Sequence, residues 1–133
     1  MPAYSDVVMD HFRNPRNAGC LEPWDLRGTA GTPGNGPHMV FTVRLDGDRI
    51  AEVRFQTFGC GPAIAAGSLL TELVSGRHLP ETTTITRDLL LEALGGLPED
   101  KLYCADLAVE AWQDVLARTA AHAPMQAIRT ETP

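Results

Sequence analysis

Only three cysteines occur in the 133 residues, and an odd count does not make a secreted disulfide framework. Positive charge is scarce as well, with 11 Lys and Arg against 17 Asp and Glu for a net charge of -6. Sequence-independent binding to nucleic acid needs clustered cations, so that class is set aside. No apolar run approaches the ~20 residues that cross a bilayer, and no membrane span is expected. The opening residues Met1 to Asp6 put no basic stretch before an apolar one, so no signal peptide is read. A reducing cytoplasm is the expected compartment. Internal repeats and domain linkers are missing too. At 44% hydrophobic and 21% charged residues, the chain suits a single domain with its own core. No nucleophile–base pair, phosphate loop or carboxylate pair stands out, so an enzyme is not expected.

What is present begins with periodicity. Tyr4, Val7, Val8, His11 and Phe12 recur at helical spacing, with Ser5 as cap and Asn14-Pro15 as stop. From Asn14 to Pro37 the chain is rich in Gly, Pro and Asn without a sustained period, which reads as a long functional or mobile loop. Met39, Phe41, Val43 and Leu45 alternate with more polar neighbours, as do Ala51, Val53, Phe55 and Thr57, around an Asp46-Gly47-Asp48 turn. That is a hairpin with one buried face. Ile64, Leu69, Leu70, Leu73 and Val74 fill a helix started by Pro62 and stopped near Gly76. Thr86 caps a short helix over 88–94, closed by Gly95-Gly96. A last apolar stripe runs from Cys104 through Leu107, Ala108, Ala111, Trp112, Val115 and Leu116. The expected fold class is α+β, a small hairpin-based antiparallel sheet packed with helices. One domain over 1–123 is expected, followed by a polar, disordered tail over 124–133.

The chemistry concentrates on Phe58-Gly59-Cys60-Gly61-Pro62, where a thiol lies between a strand pattern and a helix pattern. A helix start favours thiolate, which ligates metal or accepts sulfur. Gly59 and Gly61 are expected to supply unusual backbone angles and room for an inorganic group. Cys104 is the second thiol of interest; its place on the apolar stripe also fits plain burial.

These residues resemble the iron–sulfur cluster scaffold family of the IscU type, also found as the N-terminal domain of NifU. Tyr4-Ser5, Asp10-His11-Phe12 and Asn14-Pro15-Arg16-Asn17 are similar to the family's opening helix and its Asn-Pro-Arg-Asn signature. Phe58 to Ala65 is similar to its Tyr-Gly-Cys-Gly-Ser-Ala-Ile-Ala stretch, and Ser68-Leu69 with Thr71-Glu72 continue the likeness. Leu97, Pro98 and Lys101 occupy the positions of its chaperone-recognition motif, with Glu99-Asp100 in place of Pro-Val. The likeness spans roughly Ala3 to Arg118.

The resemblance implies a cluster, transient and [2Fe-2S], held by three cysteines with help from an aspartate and a histidine. Cys60 and Cys104 match two of the cysteines. Asn35 stands at the first cysteine, Pro37 at the aspartate and Tyr103 at the histidine. Asn35, Tyr103, the adjacent His38 and the loop residue Cys20 are secondary ligand candidates. If the segment is extended, His38 points away from the side shared by 35 and 37. Two chains pooling Cys60 and Cys104 give four thiolates in a homodimer, the usual complement for such a cluster. The implied partners are a cysteine desulfurase delivering sulfur as a persulfide, a heat-shock chaperone and recipient apoproteins. Two alternatives stay open: a cluster-free module that binds and regulates an assembly protein, and zinc as a substitute occupant.

Overall fold

The computed structural model describes residues 4–32 and 34–131, and side chains only as far as residue 119. Three antiparallel strands form one sheet in the order β1 (Leu26–Gly31), β2 (His38–Asp46), β3 (Arg49–Phe58). Helices α1 (Asp6–Arg13), α2 (Gly61–Val74), α3 (Arg87–Leu94) and α4 (Leu102–Glu131) pack around it. The α+β architecture agrees with the sequence expectation. Helix α4 runs through Glu131, over most of the stretch 124–133 expected as a tail; side chains from residue 120 onward lie outside the described residues. Among the described residues, no helix is long and apolar enough to cross a membrane.

The hairpin forms where the alternation places it. Phe41 pairs with Phe55 and Val43 with Val53, putting all four on the buried face. Gly67 of α2 packs on Phe55, where a Cβ would come within 2.5 Å of the ring. On the same face, Trp112 of α4 meets Phe41 edge-on, with centroids 5.7 Å apart. The Trp112 indole N–H donates to Thr82 Oγ1 at 3.0 Å, in a 3-10 segment over Leu79–Thr84 that has no periodic signal.

The long connection from Asn14 to Pro37 corrects the sequence reading, because it contains a strand and a fixed strap. Asn17 and Gly19 exchange backbone hydrogen bonds with Phe55, which covers the free edge of β3. Leu21 then donates to Thr42 Oγ1 at 3.0 Å as the strap crosses the outer face of the sheet. This is why β2 is buried on both faces, from Met39 to Val43. The segment returns as β1, directly under α4. A Cβ at Gly28 would overlap the backbone of Ala111 and Val115, so glycine here permits the close approach of strand and helix. The outward Thr29 N–H is satisfied by Asp114 Oδ2 of α4 at 2.9 Å. Leu-Arg-Gly-Thr-Ala-Gly is a poor strand former by composition; α4 makes it one.

Candidate metal centre

Cys60 occupies the N-cap of α2, with extended backbone angles (φ -90°, ψ 176°), directly after β3. Cys104 lies in the first turn of α4, fully buried at 0% exposure. The sheet and the contact between α2 and α4 bring the two together, with Sγ atoms 3.4 Å apart. Two thiolates on one tetrahedral metal ion stand roughly 3.8 Å apart at a Zn–S bond of ~2.3 Å. A shift of a few tenths of an ångström would therefore seat an ion between them.

The surroundings separate the two thiols electrically. Burial pushes the Cys60 thiol up, but hydrogen bonds from the Tyr103 hydroxyl (3.5 Å), the Ala63 N–H and Cys104, with the Lys101 charge, bring it below its ordinary value. Cys104 is pushed up to about 12, first by burial and then by its contact with Cys60. Tyr103 is also raised, chiefly because its hydroxyl donates to Cys60, so it serves as a hydrogen-bond donor rather than an oxyanion. Of the two, Cys60 is therefore the more readily ionised thiol and Cys104 the one held in its protonated form.

The glycine expectation needs correcting. Neither Gly59 nor Gly61 is among the positive-φ residues. At Gly61 the requirement is space, since a Cβ would press on the Phe12 ring at 3.0 Å. Phe12 instead helps wall a groove of about 270 Å³, with Tyr4, Val8, Met9 and Pro62, that leads to Cys60. Phe12 (44% exposed), Phe58 (66%) and Tyr103 (41%) leave apolar surface around this end of the molecule.

The other candidates stand apart from the pair. Asn35 is exposed in the β1–β2 turn, held by its N–H to Thr32 O at 3.0 Å. Pro37 borders the Cys60 turn, its Cβ 3.9 Å from where a Gly59 Cβ would be. His38 stacks on Phe58 at 6.0 Å and 14°, with Nδ1 enclosed and lacking a hydrogen-bond partner. Cys20 is exposed on the strap, its thiol donating to Leu21 O at 3.5 Å. Among the described residues no three His, Cys, Asp or Glu side chains converge on one point. Leu97 and Pro98 lead into a 3-10 turn over Glu99–Lys101 that feeds α4. Lys101 lends positive charge to both thiols. Asp106, two residues past Cys104, pairs with Arg87 of α3 at 2.9 Å.

Sequence reasoning missed a second cluster of polar groups, at the middle of α2. Ser68 Oγ accepts the Arg16 N–H at 2.8 Å and donates to His11 Nδ1 at 2.7 Å. That leaves the His11 Nε2–H facing Glu72, 3.4 Å away. Asn17 Nδ2 donates to Thr71 Oγ1 at 3.0 Å, and the Thr71 hydroxyl donates to Ser68 O at 2.6 Å. Arg16 pairs with Asp10 at 2.7 Å. The Asn-Pro-Arg-Asn segment is thereby fastened to the middle of α2. The matching motifs at 14–17 and 68–72 were the available signal, but nothing in their spacing says that they meet.

Residues 3–123 match the NifU-like N terminal domain family. Iron-sulfur cluster assembly scaffold protein IscU 1 of Archaeoglobus fulgidus is 48% identical over 108 residues, 81% of this chain and 71% of that protein. The IscU scaffold of Haemophilus influenzae is 40% identical over 119 residues, covering 86% and 94%. Among solved structures, the SUF-system scaffold of Fervidobacterium islandicum superposes with a TM-score of 0.66 at 19% identity, over 86% of this chain and 95% of that one. A NifU-like N-terminal structure from Brucella abortus gives 0.67 at 16%, over 86% and 92%, and these two likenesses speak to the fold. By its matched residues and its fold, the chain belongs to the NifU-like N-terminal domain family.

Proposed function

We propose that this protein is an iron–sulfur cluster assembly scaffold that holds its cargo through Cys60 and Cys104. The observation that carries this is the 3.4 Å thiol pair at the end of an apolar groove, in a chain 48% identical to a named IscU scaffold. The cluster is cargo, a transient [2Fe-2S] unit, and the protein carries it rather than catalysing a turnover; zinc can take the same pair. Clusters usually have four protein ligands. Asn35 is a weak neutral donor, Pro37 has no donor and Tyr103 keeps its proton, so two chains share one cluster and supply two thiolates each. The working unit is the domain over 1–123, in the cytoplasm, with 124–133 as an appendage. A cysteine desulfurase supplies sulfur, and recipient apoproteins take the cluster. With Glu99-Asp100 between Pro98 and Lys101, recognition by a heat-shock chaperone is weakened.

The absence of a third converging ligand among the described residues favours a second reading, a cluster-free module that regulates an assembly protein. Anaerobic reconstitution with ferrous iron, cysteine and a desulfurase separates the two. Brown protein with about half a cluster per chain is the scaffold result expected for thiolate-held clusters. Colourless protein without labile sulfide would transfer the assignment to the regulatory module.

A further inference from the structure

The two thiols are unequal in access. Cys60 is half-buried and lines the groove of about 270 Å³, whereas Cys104 is sealed at 0% exposure directly behind it. A reagent entering from solvent therefore meets Cys60, and whatever it leaves there is in contact with Cys104. Closing a disulfide from the observed 3.4 Å needs the sulfurs to approach by about 1.4 Å, to the ~2.05 Å bond length. The exposed Cys20 has no such partner, since its thiol donates to the Leu21 carbonyl.

We propose that the pair has a further activity, the release of sulfide from sulfane sulfur carried on Cys60, with Cys104 as the resolving thiol. The substrate class is a persulfide or polysulfide that transfers one sulfur atom to Cys60. In the balanced step, Cys60–S–SH and Cys104–SH become a Cys60–Cys104 disulfide and hydrogen sulfide. The Cys104 Sγ–Cys60 Sγ bond forms and the bond from Cys60 Sγ to the outer sulfur breaks. The outer sulfur leaves with both electrons of that bond as hydrosulfide and takes the Cys104 proton. It is reduced to sulfide while the two cysteine sulfurs end as a disulfide, so no outside reductant is consumed in the step. A donor thiol then reopens the disulfide. Contact between attacker and target makes the step unimolecular, and hydrosulfide is a better leaving group than an alkyl thiolate. This activity rests on the scaffold reading for its place in the cell, because a cluster is built from sulfide. Its chemistry needs no iron.

The test uses the full chain in a Cys20→Ser background, loaded anaerobically with inorganic polysulfide, desalted, and followed for sulfide in solution and by mass spectrometry. The expected result is sulfide released in step with appearance of a Cys60–Cys104 disulfide peptide. With Cys104→Ser added, the chain should keep the extra sulfur on Cys60 and release sulfide at least about tenfold more slowly. Equal release with and without Cys104 would overturn the proposal. So would a Cys60 persulfide that persists in the Cys20→Ser chain, a readout that does not depend on how well the Cys104 variant folds. Either failure, with iron still bound by the reduced pair, removes sulfide release and leaves the scaffold reading standing.

Discussion

The two parts of α2 solve opposite problems. In its middle, Ser68, Thr71 and Glu72 are tied to Arg16, Asn17 and His11, and each hydroxyl has both a donor and an acceptor to serve. At its N-terminal end, Cys60 meets a phenol at 3.5 Å and a second thiol at 3.4 Å, and opens onto a groove. Both parts carry family-signature residues. Partner chemistry tells them apart: nitrogen and oxygen groups fasten the middle of α2 to the 14–17 segment, while the soft sulfur pair stands beside the groove.

The comparison breaks most visibly at the thiol end. Cys104→Ser should reduce bound iron to background in the reconstitution assay while the circular dichroism spectrum stays native. Retained iron would place the ligands elsewhere. Next in size, Gly28→Ala should cost on the order of 1–3 kcal/mol in urea unfolding, because a methyl group cannot fit against the α4 backbone. Thiol alkylation rates in its folded fraction should not change. Ser68→Ala leaves the Arg16 N–H and His11 Nδ1 without partners and should cost roughly 1–3 kcal/mol, again with iron per folded chain unaltered.

The smallest effect is a pH dependence. Burial is the largest cause holding the His11 pKa below 6.5. Its folded value is below its unfolded one, so the unfolded chain binds more protons as the solution is acidified. The stabilisation from neutral His11 is complete above pH 6.5 and is lost as the pH falls below it. Urea midpoints measured from about one pH unit above the ordinary histidine value to about one unit below it should fall less steeply in His11→Gln. Identical slopes would remove His11 from the pH response.

Much of the fold is legible because its signals are local. Ser5 caps α1 through the Val8 N–H, Thr86 caps α3 through the Leu89 N–H, and Asp46–Asp48 carries the hairpin turn as expected. Strand β1 was hidden because Leu26–Gly31 has almost no strand-forming composition and gains its structure from α4 above it. The 3-10 segment over Leu79–Thr84 was hidden for a similar reason, since its reward is a hydrogen bond from Trp112, 30 residues away. At the site, the glycine-wrapped Cys60 and its kinship with Cys104 were readable in the motif. The groove walled by Phe12 was not, and nor was the hydrogen bond between Tyr103 and Cys60. His11 and Ser68 are 57 residues apart, and no periodicity announces a hydrogen bond of that span.

The most direct test of this division is the iron and labile sulfide bound per folded chain in Cys60→Ser, measured beside its urea midpoint and those of the unaltered protein. The account predicts an unchanged midpoint with no cluster. A Cys60→Ser protein that unfolds early, or that still carries a cluster, would contradict it.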